Sequence, residues 1–214
     1  MKTILVIGAG RSASTMIKYL LDNAVEQDWM IHVVDSDISS AKEKVNGHNR
    51  GKCFGFDATN KDGRVEKIKE ADLVISMLPA HLHLEVVKDC ISYKKHIITP
   101  SYISDEVRSL DQQAKEAGIM VLNEMGLDPG IDHMSAMKVV NHISKIGGDI
   151  TGFESFTGGL VAPESDDNPW HYKFTWNPRN VVLAGQGGAA KFIQKGKYKY
   201  IPYNKLFRRT EIIE

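Results

Sequence analysis

The sequence predicts an α/β fold: a doubly wound parallel sheet followed by the start of a smaller α+β domain. Three observations carry the prediction. Six short apolar runs recur within the first 125 or so residues, amphipathic segments with charged outer faces separate them, and a glycine turn stands at the first junction between the two.

The apolar runs are residues 3–7, 31–35, 52–56, 73–77, 96–99 and 119–123. Several read as continuous Val, Ile and Leu, the pattern of strands buried on both faces. Helical patterns lie between them. Residues 13–23 carry Met16, Ile17, Leu20 and Leu21 on one face, and residues 39–45, 65–71, 83–92 and 105–117 fit helices of the same kind. After Gly126 the character changes. Residues 131–146 read as a long helix ended by Gly147 and Gly148. Residues 150–156 alternate like a strand, residues 158–176 are loop-rich, and residues 178–184 fit a short strand or helix. Residues 192–203 suggest a hairpin about Gly196, with a solvated lysine face and a packed aromatic face. The division expected is one domain over 1–127 and a second portion over 128–214.

Composition excludes several classes. Lys plus Arg and Asp plus Glu number 27 each, so no overall field draws the chain of 214 residues to nucleic acid or a membrane surface. Two cysteines, Cys53 and Cys90, make no disulfide framework and suit a reducing compartment. No apolar run approaches the roughly 20 residues of a membrane span. A cytoplasmic protein is expected, with no nucleic-acid or membrane partner.

The glycine turn is Gly8-Ala9-Gly10-Arg11-Ser12-Ala13, between the first strand and the first helix. Gly8 permits a tight turn, Gly10 lets backbone approach a pyrophosphate, and small Ala13 lets the helix pack close to the sheet. The helix N-terminus supplies N–H groups and partial positive charge. Asp35 ends the second strand 22 residues after Ala13, where a Rossmann fold places a ribose-binding acid. Ser36 and Asp37 follow it, with no Arg or Lys to receive a 2′-phosphate, so NAD is favoured over NADP. Asp57 and Ala58 after the third strand, and Met77, Leu78 and Pro79 after the fourth, stand where such a fold places cofactor contacts. Each is equally ordinary loop chemistry.

The segment Asn123-Glu124-Met125-Gly126-Leu127-Asp128-Pro129-Gly130-Ile131-Asp132-His133 resembles the Gly-Leu-Asp-Pro-Gly-Ile-Asp-His signature of saccharopine dehydrogenases. Thr99-Pro100-Ser101-Tyr102-Ile103 is similar to the family's Ser-Tyr segment. Gly158-Gly159-Leu160-Val161-Ala162-Pro163-Glu164 resembles its Gly-Gly-Leu-Pro-Ala-Pro-Glu stretch, with Val161 where Pro is common. Asn168-Pro169-Trp170-His171-Tyr172-Lys173-Phe174-Thr175-Trp176 is similar to a fourth motif, with Thr175 in place of Ser. The motifs point to the glutamate-forming branch.

The resemblance implies a reaction. Saccharopine, a secondary amine joining lysine and glutamate skeletons, loses a hydride to a nicotinamide. Water adds to the imine, and the adduct collapses to glutamate and 2-aminoadipate 6-semialdehyde. The resemblance also places Leu127, Asp128 and Pro129 against cofactor and substrate, Ser101 and Tyr102 against substrate, and Thr99 and Thr175 against the cofactor. It implies a homodimer for the full-length family, a dinucleotide-binding domain over 1–127 and a partial substrate and dimerisation domain over 128–214 that reads as truncated, so that its elements are expected to expose apolar surface or to pair with another chain. Asp128, Tyr102 and a bound water all stand as the general base. On residue chemistry alone Asp128 reads as a helix cap. Two alternatives stand beside this reading: a catalytically incomplete dinucleotide-binding module, and a relative acting on another secondary amine, as carboxynorspermidine synthase does.

Other signals are weaker. His81 and His83, two apart on a helix, share no face and have no third partner, so solvent-exposed or loop histidines are expected and no metal. The stretch from Lys191 to Arg209 interleaves basic and aromatic residues, and the solvated face of a hairpin accounts for it.

Overall fold

The computed structural model describes residues 1–156, 159, 161–176, 178–206 except 185 and 186, and 208; the side chains of 180, 183 and 184 are not described. The chain forms two compact units, Met1–Gly158 and Gly159–Glu214.

The first unit is an α/β domain. Its strands are β1 (Lys2–Ile7), β2 (Trp29–Asp35), β3 (Gly51–Gly55), β4 (Leu73–Ser76), β5 (His96–Ile98) and β6 (Val121–Leu122). All pair in parallel, in the order β3-β2-β1-β4-β5-β6. That order makes the exit between β1 and β4 the switch point of a Rossmann sheet, where ligands bind at strand C-termini. Alternation along β1 shows why the sheet is wound on both faces. Ile4 and Val6 pack with Ile17, Leu20 and Leu21 of α1 (Ser14–Asn23) and Val45 of α2 (Ile38–Val45). Leu5 and Ile7 face the other way, onto Ile68 of α3 (Lys61–Glu70) and Val86, Val87 and Cys90 of α4 (His83–Ser92).

Differences from the sequence pattern have local causes. Helix α3 begins four residues before its apolar pattern, because Asn60 caps it by accepting from the Gly63 N–H. The helix expected over 105–117 is two, α5 (Asp105–Arg108) and α6 (Asp111–Ala117). Ser109 interrupts it: its hydroxyl donates to the Glu106 carbonyl and competes with helix hydrogen bonding. Residues 150–156 form no strand. Alternation alone does not make one, because backbone N–H and C=O groups need a partner strand. Helix α7 (Ile131–Lys145) forms as expected but buries none of its side chains; Ile131, Met134 and Met137 are each more than half exposed.

In the second unit, residues 178–184 are helical (α8, Pro178–Ala184), and β7 (Ala190–Gln194) pairs antiparallel with β8 (Lys197–Ile201) before α9 (Tyr203–Leu206). The turn residues Lys195 and Gly196 both have positive φ, as a tight hairpin requires. The register corrects the expected division of faces. Lys191 shares a face with Tyr198 and Tyr200, its ammonium 4.2 Å from the Tyr198 ring centre, and Phe192 stands opposite Lys199. The two-residue turn inverts the parity of lysine and aromatic positions between the strands, so both faces are mixed. Gly158 and Leu160 of the third motif, Phe207 and Arg209 of the basic stretch, and residues 210–214 lie outside the described residues.

Candidate functional site

The glycine turn lies at the switch point. Gly8 has φ +104°, and a Cβ there would come within 3.0 Å of the Met77 carbonyl as the chain leaves β4. Both constraints require glycine. The Gly8 N–H donates to Val34 O at 2.8 Å, and the Met77 N–H to Ile7 O at 2.8 Å, so strand pairing fixes both walls of the crevice. Gly10 is different: its φ of −66° suits any residue, and a Cβ there would meet nothing within 4 Å. Its value is openness, because backbone there is accessible from the crevice. Arg11 and Ser12, both exposed, and buried Ala13 form a 3-10 turn into α1, and no side chain caps either start. An uncapped helix start facing open space is a cradle for a phosphate group. These residues therefore fit a dinucleotide.

Asp35 is committed to the fold. Its Oδ2 accepts from the Ala9 N–H at 2.7 Å and its Oδ1 from the Asp37 N–H at 2.9 Å; the Ser36 hydroxyl lies 3.4 Å from Oδ1. The carboxylate thus ties the glycine turn to the end of β2. Asp57 holds its own turn, accepting from the Thr59 N–H at 2.8 Å, which lowers its pKa. The Ala58 carbonyl accepts from the Arg64 guanidinium, and Arg64 in turn pairs with Asp89 at 2.7 Å in a buried bridge between α3 and α4. That network had no local signature in the sequence. Leu78 and Pro79 continue half-buried from Met77 to the turn before α4.

The second wall is built by the ends of β5 and β6. The Thr99 N–H donates to Leu122 O, and Thr99 O accepts from the Met125 N–H. Ser101 O accepts from the Glu124 N–H, and Glu124 Oε1 from the Ile103 N–H at 3.2 Å. Two loops are thereby laced together. The loop after β6 then closes on itself: the Gly126 N–H donates to Pro129 O, and the Ile131 N–H to Gly126 O. A Cβ on Gly130, whose φ is +151°, would lie 2.2 Å from Gly126 O, so only glycine closes the loop. Leu127 and Asp128 stand exposed at its apex, and Pro129 is buried beneath.

Here Tyr102 and Asp128 meet. The Tyr102 hydroxyl donates to Asp128 Oδ1 at 2.8 Å. That bond, then partial burial, then the charges of Asp128, Asp132 and Glu124, push the phenol up to about 12. Asp128 does not cap α7. Gly130 occupies the cap position, and Asp132 Oδ1 accepts its N–H at 2.8 Å. Thr175, exposed, belongs to the second unit.

His83 corrects the expectation of exposed histidines. His81 is exposed, but His83 is buried, with Nδ1 2.9 Å from Ser76 Oγ and Nε2 2.8 Å from Ser101 Oγ and 3.0 Å from Thr99 Oγ1. Burial, then the charge of His81, holds its pKa down at about 4. A signal was present: His83, Val86, Val87 and Cys90 follow the i, i+3, i+4, i+7 spacing, which places His83 on the buried stripe of α4. Among the described residues no cluster of three or more His, Cys, Asp or Glu could hold a metal ion, and no helix is long and apolar enough to cross a membrane.

Comparison with known proteins gives these residues a context. A family model of the saccharopine dehydrogenase NADP binding domain matches residues 4–122, and one of the saccharopine dehydrogenase C-terminal domain matches residues 126–214. Saccharopine dehydrogenase [NADP(+), L-glutamate-forming] of Pyricularia oryzae is 40% identical over 92% of this chain and 42% of its own length. Alpha-aminoadipic semialdehyde synthase of Arabidopsis thaliana is 37% identical over 95% of this chain and 21% of its own. The solved structure of apo saccharopine dehydrogenase (L-Glu forming) from Saccharomyces cerevisiae superposes on the whole chain with a TM-score of 0.86 and 35% identity; 47% of that chain is covered. The chain thus spans less than half the length of these relatives.

The preference for NAD over NADP is corrected by these findings, since the fungal relatives are named as NADP(+) enzymes and the matching domain as NADP binding. The structure supplies the physical reason. Both oxygens of Asp35 accept from backbone N–H groups, so the glycine turn by itself accounts for an acid at this position, which is then no sign of NAD over NADP. With both family models matched end to end along a sheet of the same order, the chain belongs to the saccharopine dehydrogenase family.

Proposed function

We propose that this chain binds NADP and oxidises saccharopine, giving L-glutamate and 2-aminoadipate 6-semialdehyde. The observation that carries the reading is the meeting of Tyr102 and Asp128 at 2.8 Å, from loops after two neighbouring strands of a dinucleotide-binding sheet. Gly8, Gly10, Arg11, Ser12 and Ala13 would hold the pyrophosphate; Met77, Leu78, Pro79 and Leu127 would line the crevice. When bound, NADP accepts the hydride from the carbon beside the secondary amine.

The chain's own residues would manage protons. Tyr102, kept protonated well above neutral pH, donates to Asp128 and orients it. That leaves Asp128 Oδ2 to hold the substrate amine, and then the water that attacks the imine carbon. Ser101 would anchor a polar group of the amino-acid substrate. The nitrogen regains a proton as the adduct collapses and the carbon–nitrogen bond breaks.

The test is NADPH formation from saccharopine, followed by absorbance, with wild type, Asp128→Asn and Tyr102→Phe. Turnover by wild type and a loss of about 10²-fold or more in Asp128→Asn is expected. NADP binding without turnover in wild type would sink the reading for this chain.

A further inference from the structure

His83 lies beside the proposed site yet takes no step in the proposed reaction. It opens α4 and brings its ring under the ends of β4 and β5. Hydroxyls from Ser76, Thr99 and Ser101 converge on its two nitrogens. Thr99 Oγ1 also accepts from the Ser101 N–H at 3.3 Å, which closes a cycle of polar contacts around Ser101.

We propose that His83 is a positioning residue: a neutral imidazole strut that fixes the Ser101 hydroxyl for the substrate by bracing it against Ser76. This rests on the reading of Ser101 as a substrate contact. The chemistry suits the task. A neutral imidazole has one N–H and one lone pair, at separate edges of a rigid ring, so it links two hydroxyls at a fixed separation. Burial keeps the ring in that form across neutral pH. An unbraced serine hydroxyl samples several rotamers, and ordering it on binding costs affinity. Ser76 and Thr99 are fully buried at strand ends, so the strut is anchored to the sheet and not to a mobile loop.

The test measures saccharopine binding to the 214-residue chain with NADPH present, by calorimetry, for wild type, His83→Leu, His83→Gln, Ser101→Ala and the double variant H83L/S101A. NADPH affinity is expected to stay within about twofold throughout, because the glycine turn is untouched. Saccharopine affinity is expected to fall roughly tenfold in H83L, with partial recovery in H83Q, whose amide offers both a donor and an acceptor. Adding S101A to H83L should cost less than S101A alone, because the hydroxyl it removes is already unbraced. Equal saccharopine affinity in wild type and H83L, or losses that add in the double variant, would overturn the proposal. Should H83L fail to fold, the ¹⁵N imidazole spectrum decides: the His83 Nε2 resonance moves on Ser101→Ala, and an unmoved resonance overturns the strut. Wild type that binds NADPH but not saccharopine refutes the proposed function instead, and the imidazole resonance still judges His83.

Discussion

Replacing Asp89 by alanine strips the Arg64 guanidinium of its carboxylate where water cannot substitute. The two side chains are 5% and 9% exposed, and their closest atoms are 2.7 Å apart. At an effective dielectric constant of about 20, that separation corresponds to a gross attraction of about 6 kcal/mol. Desolvation offsets much of it while the pair is intact, but the single variant keeps the cost and loses the attraction. The Ala58 carbonyl is the acceptor that remains for Arg64. A loss of about 3–5 kcal/mol follows, a large share of the stability of a domain this size. Urea denaturation followed by far-ultraviolet circular dichroism measures it. The double variant Arg64→Met with Asp89→Ala should lose at least about 2 kcal/mol less than the sum of the singles, because no charge is left buried. Lys115→Ala, which breaks an exposed pair with Asp111, serves as the control at under about 0.5 kcal/mol. A loss below about 1 kcal/mol in Asp89→Ala, or additive singles, would refute the reasoning.

Three other outcomes are expected. Asp128→Asn should bring the Tyr102 titration down from about 12 toward the ordinary tyrosine value of 10, read as phenolate absorbance, because the charge goes and a neutral amide oxygen is the weaker acceptor; Gly130→Ala should do the same by forcing the loop open. Gly10→Ala should leave thermal stability unchanged and weaken NADPH binding at least about tenfold, since its methyl enters space that no protein atom occupies. His83 should make stability fall as pH drops from 6.5 toward 4. Its folded pKa lies below the unfolded one, so the unfolded state takes up the proton first. The effect reaches on the order of 3 kcal/mol and should flatten in His83→Gln. His32, also lowered by burial, will remain as a smaller slope.

The sheet was legible because strands buried on both faces must be apolar throughout, and β1, β2 and β4 leave no other reading. The glycine turn was legible because Gly8 serves a geometric need that other residues fail, and Gly10 stands two residues on at the start of the helix. What sequence hid was pairing across distance. Asp35 read as an acid that selects NAD, and no sequence signal showed that its carboxylate also ties Ala9 to Asp37. Arg64 and Asp89 lie 25 residues apart, and neither position announces the other. Tyr102 and Asp128 were separate candidates until the Gly126–Gly130 closure and the lacing at Glu124 brought them within one hydrogen bond. His83 hid in plain periodicity, because two histidines close in sequence drew attention to each other and not to the stripe beneath.

The two walls of the crevice are unequally supported. The glycine turn rides on β1 and β2, paired over six positions near the centre of the sheet. The loops bearing Ser101, Tyr102 and Asp128 ride on β5 and β6, which pair over two positions at the sheet's edge. Local opening begins where such hydrogen bonds are fewest. Breathing at this margin would therefore part Tyr102 from Asp128 while the phosphate cradle stayed intact. The fold thus gives the glycine turn a lasting shape and the Tyr102–Asp128 pair a transient one.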